Sequence, residues 1–297
     1  MKRQSVSRIF WFLTAVLIFG TSCGDENYAI QEEIAFASEE IATEFYFDDV
    51  DDMVSIVLAA GNILIHGSAD VDLLRVNDDR LECQTTYVLL NPDRELSRPE
   101  FPAGNIVIDF GYGCSDGSGN IRSGKILVRF EGKKFSAGSI VRVTFEGYMV
   151  NGVELGGIRE LVGLPESDIR MPKFKVTLSN GQATWPDGSY IKRENCYTRE
   201  WIRAQVPLND AMVISPCIQE TTMVRGTNKR GRPYELTLVE PLMHKRSCPV
   251  AVSGTKQYTN LTTGKVITID YGSGGCDRVV TVTVDGITRS VTIGKKL

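Results

Sequence analysis

The chain has 297 residues, 42% of them hydrophobic, and a formal net charge of −4. The first 22 positions hold three basic residues and no acidic one. The remainder therefore sets 30 basic against 37 acidic side chains, a net charge of −7. That balance argues against a nucleic-acid partner, which calls for a basic surface, and suits a soluble, exported domain.

Lys2, Arg3 and Arg8 precede an apolar run over 9–20 that is short for a bilayer span. Gly20, Thr21 and Ser22 then lead into Cys23. A basic start, a short apolar run and small residues before a Cys are the pattern of a lipoprotein signal peptide over 1–22. Cys23 is then the acylated residue, although Gly20 stands where Leu is usual. A lipid on Cys23 anchors a protein without spanning the membrane. The expected partner is thus the membrane and the expected location a lipid-anchored place at the outer membrane. Asp25 and Glu26 follow, as in the surface-export signals of some Bacteroidota lipoproteins.

Six further cysteines remain: Cys83, Cys114, Cys196, Cys217, Cys248 and Cys276. An even number in an exported chain reads as disulfides. There is no CxxC pair, and His66 and His244 are the only histidines. Structural zinc sites need closely spaced ligands, so neither a metal nor a cofactor is expected.

Residues 23–79 read as an acidic tether. Eleven acidic residues and no Lys or Arg fall between Asp25 and Asp52, and the first basic residue after Cys23 is Arg75. Ile30, Ile34, Ile41 and Phe45 have roughly helical spacing, which predicts an amphipathic helix within the tether. Asp48, Asp49, Asp51 and Asp52 lack the ligand pattern of an EF-hand loop and read as a solvated spacer.

From residue 80 to 297 the pattern is β, with two packed modules (80–180 and 181–297) as one way to divide it. Strands are expected at 125–130, 139–150, 174–180, 234–240, 265–272 and 278–286. Asn151-Gly152, Asn180-Gly181, Asp187-Gly188 and Asp285-Gly286 read as hairpin links, because these pairs tolerate positive φ. The expected fold is all-β and antiparallel, a sandwich or flattened barrel of related hairpin modules behind an acidic, partly helical tether.

One phrase occurs twice. Residues 106–114 read IVIDFGYGC and residues 267–277 read ITIDYGSGGCD. Each ends the strand that follows a Cys-led strand, with Cys83 and Cys114 separated by 31 residues and Cys248 and Cys276 by 28. Antiparallel neighbours bring such positions within disulfide reach. Of the fifteen connectivities that six cysteines allow, the repeat selects Cys83–Cys114 and Cys248–Cys276, leaving Cys196–Cys217. Ile108 and Ile269 are expected to face the core, with Asp109 and Asp270 opposite as turn-stabilising or ligand-binding residues.

These segments, with RSGKILVRF (122–130), TFEGYMVNGVELGG (144–157), WPDG (185–188) and RGTNKRGRPYELTL (225–238), carry a resemblance. The chain resembles a family of Bacteroidota cell-envelope lipoproteins. The resemblance implies an exported all-β domain and brings no established activity. RSGKI and NKRGR read as two further copies of one hairpin element, or as unrelated basic turns.

Catalytic motifs are weak. Residues 113–117 match G-x-S-x-G, but a nucleophile elbow leads into a helix and the sequence after it is another strand. Ser253 and Lys256 match S-x-x-K on a strand, where residues three apart face opposite ways. Asp109, Asp116, Glu146, Glu154 and Asp187 are candidate glycosidase acids, with nothing to select a pair. Trp185, Trp201 and Tyr197 are candidate ligand-stacking aromatics. The sequence thus favours a lipid-anchored envelope protein with a structural or binding role toward a surface glycan or a protein. The alternatives are an exported hydrolase of the glycosidase type and a fimbria-like subunit.

Overall fold

A computed structural model describes residues 23–64, 72–83, 85–168, 170–205, 210–217, 222–245, 248 and 250–293. The expected signal peptide at 1–22 and His66 lie outside these, as do the side chains of Cys23, Asp25 and Glu26.

One long helix, α1 (Cys23–Leu64), opens the described chain. At about 1.5 Å per residue it is about 63 Å long. No Gly or Pro interrupts it between Asp25 and Ala60. Among the described residues no helix is long and apolar enough to cross a membrane.

Sixteen strands follow: β1 (Asp72–Leu74), β2 (Tyr87–Pro92), β3 (Ala103–Asp109), β4 (Cys114–Ser115), β5 (Ile121–Glu131), β6 (Ile140–Val150), β7 (Val153–Gly163) and β8 (Lys173–Thr184). Then come β9 (Tyr190–Ile202), β10 (Ala211–Pro216), β11 (Thr222–Thr227), β12 (Pro233–Lys245), β13 (Ala251–Asn260), β14 (Val266–Ser273), β15 (Val279–Val284) and β16 (Ile287–Thr292). All belong to one antiparallel sheet, and nearly every strand pairs with its neighbour in sequence. β10 and β11 lie end to end between β9 and β12. Cys196 on β9 is bonded to Cys217 where β10 stops. The other two disulfides are Cys83–Cys114 and Cys248–Cys276. All three pairings are those expected, two from the repeat and the third by elimination.

The expected antiparallel β architecture is present as a single sheet curled around α1. Among the described residues β1 and β16 are its two ends and do not pair with each other. Inward-facing residues alternate along most of the longer strands, as on β14, where Ile267, Ile269 and Tyr271 are buried. Two apolar clusters fill the interior. Ile30, Ile34 and Ile41 of α1 meet mainly the strands after β8, whereas Phe47, Val54 and Val57 meet mainly β2 to β8. β8 itself runs through the 180/181 boundary and contributes to both clusters.

Three local expectations need correction. Asn180-Gly181 is a bulge inside β8, where the register shifts and a Cβ on Gly181 would lie 2.6 Å from the Arg193 carbonyl. RSGKI lies within β5 and NKRGR spans the turn between β11 and β12, so they are not copies of one element. Most important, the aspartate run of the helix is no solvated spacer. Asp51 is 5% exposed, and Glu33 and Glu40 are 2% exposed.

Candidate functional site

The helix carries acids and no described base, so burial in a sheet demands cations from the strands. They come from inward positions between apolar residues. On β9 the inward series is Ile191, Arg193, Asn195, Tyr197 and Arg199, all buried. On β13 it includes Lys256 and Tyr258.

These residues, with cations from the turn between β11 and β12 and from Arg80, form an ion-pair spine along α1. Arg230 and Arg232 pair with Glu32, and Lys229 with Glu39. Asn260 donates to Glu33 at 2.8 Å. Tyr234 donates to Glu40, which also lies 3.2 Å from Arg193. Lys256 pairs with Glu44. Arg159 and Arg199 each reach Asp51 at 2.7 Å and also hold Asp48. Arg122 and Arg80 share Asp49, at 2.7 and 3.2 Å.

Burial alone would raise the Asp51 carboxyl, but Arg159 and Arg199 outweigh it and hold it below the usual range. Burial likewise opposes ionisation of Glu44, yet Lys256 and Arg193 bring it down to about 2. For Glu40 and Asp48 burial wins over their arginines and the carboxyls titrate high. Burial and then Arg199 push the His244 imidazole down to about 4. His244, Glu44, Asp48 and Tyr271 border a void of about 20 Å³, room for a single water.

The opposite side of the helix differs. Ser38, Ile41, Ala42, Phe45, Tyr46 and Asp49 recur at intervals of three and four, so they share one face. That face is the floor of a cleft of about 680 Å³, within the usual size of ligand pockets. One wall is polar: Asp78, Asp79 and Arg80, with Asn120 and Arg122 beyond them. The other is Arg278, Val291, Thr292 and Ile293, beside the free end of β16.

Most polar groups of the first wall are bonded to one another. Arg80 pairs with Asp49, Asp52 and Asp78. Arg122 pairs with Asp49 and Asp116. Asn151 donates to Asn120 at 2.9 Å. Among the described residues Arg278 has no ion pair. It is exposed and holds φ at 58°, unusual for a residue with a side chain.

The residues singled out in sequence fall elsewhere. Tyr197 is 1% exposed, and its hydroxyl accepts from Arg159 and Arg199, so it cannot stack on a surface ligand. Trp185 is half-buried where the two apolar clusters meet, with the Lys229 ammonium 3.8 Å from its ring centre. Trp201 is half-buried, with Arg203 5.7 Å from its ring. Asp109 accepts from the Gly111 amide at 2.8 Å and Asp270 from the Gly272 amide at 2.7 Å. Gly111 and Gly113 both have positive φ, as do Gly272 and Gly274, so the duplicated phrase builds the same corner twice.

Ser115 follows the disulfide-bonded Cys114 into a turn, not a helix. Ser253 and Lys256 lie on β13, and Lys256 is committed to Glu44. Among the described residues no three His, Cys, Asp or Glu side chains gather as metal ligands. No protein-family model, no curated protein and no solved structure matches the chain.

Proposed function

We propose that this is a lipid-anchored protein of the cell envelope that binds rather than catalyses, taking its ligand in the cleft over α1. The observation that carries this reading is the cleft itself. It has the size of a ligand site, and its carboxylates Asp49 and Asp78 are neutralised by Arg80 and Arg122. Among the described residues that line it, Asp79 is the one acid without an ion pair, so no convergent pair of free acids serves glycoside hydrolysis. Among the described carboxyls with displaced titration, Glu40, Glu44, Asp48 and Asp51 stand on the spine, and Asp78 at the cleft is held down by its bond to Arg80.

The leader pattern, Cys23 and the resemblance to Bacteroidota lipoproteins support the anchor. Cys23 opens α1, and Ile30 is already buried. Seven residues of helix put the lipid about 10 Å from the body. The protein then stands close against the membrane, without a flexible spacer.

A fimbria-like role is favoured by one observation. Among the described residues β16 pairs with β15 alone, which leaves its outer edge open to an added strand.

Native mass spectrometry of the mature protein purified from membranes tests the main reading. The expected result is a diacyl or triacyl mass at Cys23 and a non-covalent small-molecule adduct. Ala42→Trp and Thr292→Trp, which fill the cleft from floor and wall, both lose the adduct. A bare protein, or an adduct retained by both variants, overturns the cleft reading. An unmodified Cys23 overturns the anchor.

A further inference from the structure

The cleft is lopsided in a way that specifies chemistry. Its floor and one wall present the partly buried Ala42, Phe45 and Val291, backed by the buried Ile41 and Ile293. Of its three arginines, Arg80 and Arg122 are each bound to two or more carboxylates, and only Arg278 keeps an uncommitted charge. Its position is fixed from both sides. Cys276, two residues earlier, is bonded to Cys248, and the Ile293 amide donates to the Arg278 carbonyl at 2.9 Å. An extended, uncommitted cation beside apolar surface calls for an anion attached to an apolar body.

The far rim narrows the choice. Asp79 is exposed there and has no ion pair among the described residues. It repels a second negative group, so the ligand carries one anionic head, placed at Arg278. Tyr46 lines the floor between the two rims. Burial raises its phenol, which stays neutral and able to donate to an anion.

We propose that the cleft binds a single-headed anionic amphiphile, its head group on Arg278 and its chain along Ala42, Phe45 and Val291. This rests on the reading of the cleft as the ligand site. A fatty carboxylate and a lysophospholipid acid share that chemistry and differ in source.

Isothermal titration of the full-length protein with laurate below its micellar concentration is the test, with dodecyltrimethylammonium as the probe of opposite charge. Laurate is expected to bind at least tenfold more tightly than the cation. Arg278→Glu weakens laurate at least tenfold with an unchanged melting temperature, whereas Arg278→Lys stays within threefold of the wild type. A lysophosphatidate of the same chain length that outbinds laurate identifies a phospholipid source, and the reverse order a free fatty acid. Equal affinity for laurate and the cation, or wild-type laurate binding by Arg278→Glu, overturns the proposal. If laurate fails while the membrane-derived adduct is present and lost in Thr292→Trp, the amphiphile class falls and the cleft reading stands. If both are absent, both fall.

Discussion

The two sides of α1 obey opposite rules. Toward β7, β9 and β13 the helix sends Glu44, Asp48 and Asp51, and each meets a lysine or arginine from a strand. Toward the cleft it presents Ala42, Phe45 and Tyr46, which are only partly buried among the described residues. The difference lies in what each side contributes. Buried charges in fixed pairs tie the helix to one register on the sheet, because any slip strands a carboxylate. A partly covered apolar face adds less to folding until something lies on it.

The sharpest break of this contrast is Asp51→Asn. It leaves Arg159 and Arg199 buried against a neutral amide, with Asp48 as their remaining carboxylate. Removing one partner of a buried ion pair costs about 3–5 kcal/mol, and urea unfolding reads it directly. Asp51→Leu together with Arg159→Met recovers part of the loss, since a pair replaced as a whole by apolar groups is often tolerated. If Asp51→Asn unfolds at the wild-type midpoint, the spine does not hold the helix.

Acid should loosen the spine side first. His244 is held down to about 4 by burial, against about 6.5 in the unfolded chain. The unfolded state takes the proton first, so this contribution is full above about pH 6.5 and is lost as pH falls toward 4. Glu44 at about 2 extends the loss below pH 4.5, while the raised carboxyls of Glu40 and Asp48 work in the opposite direction. His244 is half-buried, so its share is about 2 kcal/mol. Denaturant midpoints for wild type and His244→Gln should converge by about that amount between pH 6.5 and 4. Parallel curves would place the acid response elsewhere.

Much of the sheet was legible, because period-two alternation and turn pairs are local signals. β5, β6, β12, β14 and β15 overlap the expected runs, and the repeat selected two of the disulfides and left the third by elimination. The spine was not read, although its parts were visible. An acidic helix without bases and strands with Arg or Lys at inward positions, such as Arg193, Arg199 and Lys256, are complementary only once both are considered together. Composition alone made the acids look solvated. The cleft was illegible for a different reason. It joins α1, the turns near Asn120 and Asn151, and the end of β16, which are far apart in the chain.

Tyr197→Phe removes the hydroxyl that accepts from both Arg159 and Arg199, leaving the carboxylates in place. The loss of a buried acceptor from charged donors predicts about 1–2 kcal/mol. Laurate affinity should not change, because Tyr197 does not line the cleft. A variant that binds laurate differently would show that spine and cleft are coupled.

The smallest effect comes from the residue next to Asp51. Asp52 also contacts an arginine, Arg80 at 2.8 Å, but its side chain is 65% exposed against 3% for Asp51. Arg80 keeps Asp49 and Asp78 when Asp52 is neutralised. Water screens the lost charge, and surface pairs contribute about 0–1 kcal/mol. Asp52→Asn should therefore lie within about 0.5 kcal/mol of the wild type by urea unfolding. The same chemical change one residue apart then differs several-fold in consequence. If the two variants were equally destabilised, helix charge as a whole would set stability, and the division of α1 into a spine face and a cleft face would fail.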